Sequence, residues 1–531
     1  MLLNGINRIS PSLHLKSRES ISPALLLAGS LALYYAVRSL VIDIALGTPK
    51  DCLWLDVLAF AGAALLSKVT YREIPEPLRF LARGIGMVVL VQVAFDGSSL
   101  LYAPDSMTQG AQGAFYRFGT LIALTAGAGA IWRPAFLLPL MIHYVAFRHQ
   151  LNLSTQIEIS ETDYLSMLDV GEFCALGGLT VALTGKGQDE KSKQTAAGLV
   201  WAWAVGAHLG NYLVSAWTKI RVGGDHPLFW LLHNPTQTSI LIGLERGDSP
   251  LGVWPQAMQA LWDGVSGAGV LLNLFVLGTQ LAAPLAATHK RTLMAMTLIY
   301  DMFHVGVYFT LGALFLFWIA VNLLICESAR VLDKSMRFSL RMKLTLFVAV
   351  FASHYIFYTS HLGWLDGAKL ASPNFFAETR DGRRVPVPSV FFGIRSYSIA
   401  QTLLFAPDDH FRVRIGGNNY NPADWADAQS CGPIVASHQN TPTSFGAVMQ
   451  MVQETDRAMR KTPTVKADNL YYLYPHHMLA NPWLFTEFNA LSMDDIVGYH
   501  YVVDSVCLGL KDGRLTRNVR KTTDTPIDVS P

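Results

Sequence analysis

Residues 196–220 read AAGLVWAWAVGAHLGNYLVSAWTKI, a helix-length stretch apolar enough to cross a membrane that nevertheless carries His208, Asn211, Tyr212, Ser215 and Lys219. Those positions fall at i, i+3, i+4, i+7 and i+11, so they share one face of a 3.6-residue helix. An ionisable group in such a segment costs roughly 2.5–3.5 kcal/mol on membrane-insertion scales, and it normally faces a bundle interior or a watery cavity and marks a functional site. The stretch therefore predicts a polar pocket inside a bundle of membrane helices. The competing reading has Lys219 snorkelling from the helix end to the interface while the other four residues make interhelical hydrogen bonds.

Composition sets the class around that stretch. A chain of 531 residues that is 51% hydrophobic and only 15% charged, with a mean hydropathy of +0.30, is too apolar for an ordinary soluble protein. The expected fold class is a polytopic α-helical membrane protein with a C-terminal mixed α/β soluble domain. A net charge of +2 with no basic domain and no block of like charges gives no reason to expect a nucleic-acid partner. The Trp and Tyr residues can serve as interfacial anchors as well as packing groups.

Runs of about 20 apolar residues give candidate spans at 23–46, 52–67, 80–101, 117–133, 134–148, 164–184, 196–219, 257–284, 292–325 and 342–360. The run from Leu293 to Ile325 is too long for one simple crossing and contains Gly306 and Gly312, so it reads as two pieces. Residues 1–22, with Arg8, Lys16 and Arg18, read as a cytoplasmic lead-in to a retained helix and not as a cleaved signal. Basic clusters at Lys68, Arg72, Arg79 and Arg83, at Lys186, Lys191 and Lys193, and at His289, Lys290 and Arg291 place their loops on the cytoplasmic side. The 101–116 and 150–163 loops, neutral or acidic, go outside. Arg330, Lys334, Arg337, Arg341 and Lys343 belong inside as well, which requires 292–325 to dip in and return near Gly306 to Gly312. The reading puts the N-terminus in the cytoplasm of a bacterial inner-membrane protein and everything after Ser360 in the periplasm.

From about Gly363 the composition changes. Charges and Pro, Asn and Asp become frequent, and Asp381-Gly382, Gly416-Gly417-Asn418-Asn419 and Pro422-Ala423-Asp424 punctuate short mixed segments. Three regions follow: the lead-in at 1–22, a multi-helix membrane domain at 23–360 and a soluble domain at 361–531. Within the last, Val385 to Phe392 contains Pro386 and Pro388 and can only be an edge strand or extended loop, whereas Ser444 to Met459 reads as an amphipathic helix. Cys431 and Cys507 are the two cysteines of this domain; they either pair in an oxidising compartment or stand as unrelated thiols.

Three phrases, in order, resemble the transmembrane module of vitamin K-dependent gamma-carboxylases and their bacterial relatives, the horizontally transferred transmembrane domain. They are Phe147-Arg148-His149-Gln150-Leu151-Asn152 with Asp163-Tyr164-Leu165 after it, Asn211-Tyr212-Leu213-Val214-Ser215-Ala216-Trp217-Thr218-Lys219-Ile220, and Phe303-His304-Val305-Gly306-Val307-Tyr308-Phe309-Thr310-Leu311-Gly312. The resemblance covers roughly residues 20–360. It departs after Lys219, where Arg221, Gly223-Gly224-Asp225-His226-Pro227 and Phe229-Trp230 replace the carboxylases' short stretch with a tryptophan and an acidic neighbour, and it does not extend to the soluble tail.

The resemblance implies a quinone- and oxygen-using enzyme in which Lys219 is the base towards a reduced quinone. His208 and His304 would join it as catalytic groups, and Tyr212, Asn211 and Tyr308 would contact the quinone or hydroquinone. An amine must be neutral to act as a base, and burial among apolar helices disfavours its charged form. Asp301, three residues before His304, is placed to orient it, although such pairs are also common structural features. The other reading is a non-catalytic accessory or scaffold subunit that meets a peptide or membrane-protein partner through residues 361–531.

Other constellations carry less. Asp169 and Glu172 share a helix face and, with Asp163, read either as a cation or proton path or as partners of a water-filled entrance or a base such as Arg148. His476 and His477, with His410 or His500, lack the spacing that makes a metal site specific. There is no nucleophile elbow, phosphate-cradling loop, dinucleotide fingerprint or haem-attachment motif.

Overall fold

The computed structural model describes residues 21–99, 105–155, 162–185, 188–335, 337–363, 367–396, 399, 404–407, 409–411, 431, 444–461 and 480–529. Its first part is a helical bundle: α1 (Pro23–Ala45), α2 (Pro49–Leu65), α3 (Glu76–Ser99), α4 (Thr120–Ala130), α5 (Leu137–Thr155), α6 (Thr162–Thr184) and α7 (Glu190–Arg221), then α8 (Thr238–Glu245), α9 (Pro255–Leu281), α10 (Lys290–Leu311), α11 (Leu316–Ser335) and α12 (Leu340–Ala352). Five of the described helices, Pro23–Ala45, Glu76–Ser98, Leu165–Thr184, Pro255–Leu281 and Lys290–Leu311, are long and apolar enough to cross a membrane. The outer surface agrees with them, because Leu58, Leu65, Leu271, Met302 and Leu340 are all exposed large apolar side chains.

The helix that opens the sequence reading stands in the middle of this bundle. From Ala196 to Tyr212 every side chain of α7 is buried, which is how a helix apolar on all sides behaves when neighbours surround it. Its closest neighbour is α12. A Cβ on Gly206 would lie 2.5 Å from Ala349 Cβ and 2.7 Å from the Leu346 carbonyl oxygen, so the two backbones meet only because Gly206 has no side chain.

The run 292–325, expected as two pieces, forms two helices. α10 ends at Gly312, whose φ of 81° supplies the left-handed C-cap, and α11 starts four residues later. The two run antiparallel, with Asn322 against Asp301 at 2.8 Å and Trp318 beside His304 at 5.9 Å between ring centres. The candidate span 117–133 is interrupted by a π turn at Phe115–Gly119, and 134–148 begins with a 3-10 turn at Pro134–Phe136. The span expected at 342–360 needs a larger correction. Its helix stops at Ala352, a 3-10 turn covers Ser353–Tyr355, and residues 356–363 continue without helix, with Phe357, Thr359, Ser360 and Gly363 buried.

The C-terminal region carries a four-stranded antiparallel sheet in the order β2-β1-β3-β4, with β1 (Lys369–Thr379), β2 (Arg384–Pro386), β3 (Ile496–Lys511) and β4 (Arg514–Asp528). Of the stretch Val385 to Phe392, expected as an edge strand or extended loop, the start is the short edge strand β2, but from Ser389 a 3-10 helix runs to Arg395. Helix α13 (Phe445–Arg460) buries Val448, Met451 and Val452 in a core shared with Tyr499 and Tyr501 of β3. Asp512 and Gly513, both at positive φ, close the β3–β4 hairpin, and the tip meets the bundle where the Gly513 N–H donates to Gln259 at 2.7 Å. Glu245, at the end of α8, accepts from Ser372 at 2.6 Å and Arg517 at 2.9 Å.

Cys431 is joined to Cys507 across a sequence separation of 76 residues. Closing a loop of that length stabilises a fold by about 4 kcal/mol in the chain-entropy account. Cys431→Ser and Cys507→Ser should each lower the denaturation midpoint of the C-terminal region by a corresponding amount. Adding reductant to the native protein should reproduce the shift, as followed by near-ultraviolet circular dichroism.

Candidate functional site

The polar stripe of α7 meets the non-helical segment 356–363. Backbone that leaves a helix inside an apolar bundle needs partners for its N–H and C=O groups, and the stripe supplies them. The Ser360 N–H donates to Asn211 Oδ1 at 3.0 Å, Ser215 donates to the Ser360 carbonyl at 3.3 Å, and Lys219 Nζ donates to the Leu362 carbonyl at 2.6 Å. From the other side, the Tyr358 N–H donates to Asp169 Oδ2 at 2.6 Å. Lys219 does not snorkel. It is 3% exposed, with its ammonium position 5.3 Å from the centre of the Trp230 ring.

The same face also borders a cavity of about 130 Å³. Asn211, Tyr212, Ser215 and Lys219 form one wall, α10 contributes Phe303, His304 and Val307, α11 adds Trp318, α9 adds Asn273 and Gln280, and Trp230 and Leu362 close it beside Lys219. One part of the wall is aromatic and another, with Asn234, Thr236, Thr238 and Ser239, is polar; Tyr212 stacks on Tyr300 behind it at 3.6 Å and meets Trp318 edge-on at 5.3 Å, and His304 lies 6.0 Å from Tyr212 and 5.2 Å from Phe315. Three buried polar atoms of cavity-lining residues have no hydrogen-bond partner among the described residues: His304 Nδ1, Trp318 Nε1 and Gln280 Oε1. Other buried polar atoms among the described residues are unpartnered as well, Arg38 Nη1 and both Glu172 oxygens included.

Not every residue singled out in the sequence reaches the cavity. Lys219, His304, Tyr212 and Asn211 do; His208 and Tyr308 are not among its lining residues. His208 is held behind Tyr212 by Asn322, at 2.9 Å from Nε2 to Oδ1. Asp301 accepts from Asn322 and does not orient His304. Tyr308, half-buried, uses its carbonyl to cap α10 through the Gly312 N–H. Asp169 pairs with Arg38 of α1 at 2.6 Å and not with Arg148, which faces Asp96 at 3.7 Å. Glu172, fully buried beside them, has no hydrogen-bond partner at either oxygen among the described residues. The side chain of Asp163 and the His476–His477 pair lie outside the described residues. His410 sits between Ser505 and Thr523, and His500 between Asp524 and Glu378; no group of three metal-ligating side chains occurs among the described residues.

Sequence reasoning missed Asn322, Trp318 and Gln280. Each is a polar or amphipathic side chain in a run read as uniformly apolar, and the one available signal was its exception to that run.

Comparison of the chain with family models, with curated proteins and with solved structures gives no match.

Proposed function

We propose that this is an integral membrane protein, with its C-terminal region on the non-cytoplasmic side, that binds a quinone or hydroquinone in the cavity between Lys219 and His304 and uses Lys219 as the base towards it. One observation carries the reading. Lys219 is buried in an aromatic cavity wall with no carboxylate paired to it among the described residues. A buried amine without a counter-ion is costly and is retained where chemistry needs it.

The residues fit such a ring. The aromatic side chains Tyr212, Trp230, Phe303 and Trp318 in the lining suit a planar ligand, and the Trp318 indole and the His304 imidazole would be the groups to bond its oxygens. A bound hydroquinone supplies phenolic protons and reducing equivalents. Lys219 would take a proton at Nζ, with the Leu362 carbonyl steadying the amine, and His304 and Trp318 would hold the ring. Titrating the purified protein with a water-soluble naphthohydroquinone should give saturable quenching of tryptophan fluorescence, and His304→Ala should weaken binding about tenfold, the loss of one good hydrogen bond in a dry site. A wild-type protein that shows no saturable binding would remove the proposal.

Orientation has its own test. Arg457 is exposed on α13, so Arg457→Cys should react with an impermeant maleimide in intact cells. Labelling only after the inner face is opened would place the C-terminal region in the cytoplasm.

A second reading has an observation behind it as well: Asn211, Ser215 and Lys219 all serve segment 356–363, as they would in a scaffold subunit that holds a partner through residues 361–531. That reading requires Lys219 variants that keep the Leu362 contact to retain full partner assembly and full function.

A further inference from the structure

We propose that Trp483 and Leu484 of the C-terminal region, together with Trp254 at the head of α9, form a foot that rests in the lipid headgroup layer on the side where that region lies. The proposal rests on the chain crossing a membrane as proposed above, and the partner it names is the lipid surface.

The height of the foot follows from α9. A helix of 27 residues is about 40 Å long, against about 30 Å of hydrocarbon and about 40–45 Å once the headgroup layers are counted. A crossing by α9 therefore puts its N-cap residue, Trp254, among the headgroups. Trp254, 48% exposed, also heads the outward side of the helix. Ala257, Ala260, Gly264, Gly267, Leu271 and Leu274 follow it at steps of three and four residues, and all are exposed. Tryptophan suits this level because its ring is apolar while its N–H needs a polar neighbour.

The C-terminal region brings two more apolar side chains to the same height. Pro482–Leu484 is a 3-10 turn in which Trp483 is 61% and Leu484 36% exposed, and the Trp483 ring meets the Trp254 ring with 5.7 Å between centres. The turn is fixed to the loop that leads into α9. The Asn481 N–H donates to the Gly247 carbonyl at 2.8 Å, and the Asn481 side chain donates to the Ser249 carbonyl at 2.9 Å. A Cβ on Gly247 would meet Phe485 Cζ at 2.5 Å, and one on Gly252 would meet Leu484 Cδ1 at 3.1 Å. Asn481 and Phe485 thus hold the turn down, and Trp483 between them is what it presents outward. Apolar groups gathered at the surface in this way mark an interaction site.

Charge names the kind of surface. Residues 481–486 carry no ionisable side chain, and Glu487, next along, is paired with Arg383. The foot therefore has nothing with which to seek anionic headgroups, and its indoles and leucine fit the boundary between headgroup and acyl chain. Phosphatidylcholine, which has no net charge, is the probe.

The test uses the full chain in phosphatidylcholine nanodiscs, in a Trp254→Phe background so that the neighbouring indole does not interfere. The emission of Trp483 is the difference made by adding Trp483→Phe. Replacing the lipid with one brominated at the upper acyl carbons should lower that emission about twofold, as for a ring at the headgroup–acyl boundary, and iodide in the buffer should lower it less. Emission that iodide quenches and the brominated lipid does not would mean that water, or a protein absent from the nanodisc, covers the turn, and overturns the proposal. Leu271→Trp, at an exposed position midway along α9, separates this failure from that of the membrane reading. If the brominated lipid quenches the new indole and spares Trp483, the foot alone is wrong; if it spares both, α9 does not face lipid and the membrane reading falls with it.

Discussion

Lys219→Gln should lower hydroquinone turnover by about 10²–10⁴, the range a general base contributes, while the protein stays folded. The choice of glutamine follows from the structure. Lys219 has two jobs, donating to the Leu362 carbonyl and bordering the cavity, and a substitution that removes both cannot tell them apart. Lys219→Met would orphan a buried carbonyl and cost about 1–3 kcal/mol on that account alone, so its effect on activity would be ambiguous. Glutamine can still donate to Leu362 but cannot accept a proton at neutral pH, and Lys219→Arg keeps donors and charge on a group that never deprotonates. Both should melt near the wild type in detergent and both should be inactive. A Lys219→Gln protein with full turnover would assign the lysine to architecture alone.

Gly206→Leu should prevent the bundle from closing. The added side chain would meet Ala349, the Leu346 carbonyl and the Val350 amide nitrogen at 2.5, 2.7 and 3.3 Å, and two of those are backbone atoms that move only if α12 moves. Overpacking of this kind costs on the order of 3 kcal/mol or more. The effect should also travel, since displacing α12 drags residues 356–363 away from Asn211, Ser215 and Lys219. Gly267, on the open side of α9, is the control: a Cβ there meets nothing within 4 Å, so Gly267→Leu should leave the melting temperature within a degree or two of wild type. Equal melting curves for the two variants would mean that α7 and α12 do not depend on their close approach.

How far the sequence revealed this can be argued residue by residue. The stripe on α7 was legible because helical periodicity alone puts Asn211, Tyr212, Ser215 and Lys219 on one face, and a lysine there demands a polar destination. The break between α10 and α11 was legible because Gly312 can adopt the φ of 81° at which the chain turns. Residues 356–363 were not legible. Phe357 to Leu362 carries Thr359, Ser360 and His361 among its apolar residues, which hints at an end to the span, but the side chains that hold it unwound, Asp169, Asn211 and Lys219, are distant ones whose positions only the assembled bundle defines. Arg38 as the partner of Asp169 was hidden for the same reason. The glycine at 206, followed by Gly210 four residues later, was a signal present in the sequence and left unread.

The non-helical segment also imposes an order on biosynthesis. Ser215 and Lys219 belong to α7, which leaves the ribosome well before Ser360 and Leu362, whose carbonyls accept from them. During that interval their polar groups stay exposed to water or to transient helper proteins, because unsatisfied they are expensive to leave in lipid. Seating this short piece of chain is therefore a late event in maturation. A nascent chain arrested before Tyr358 should remain open to quality-control proteases, whereas one arrested beyond Leu362 should already have its bundle locked.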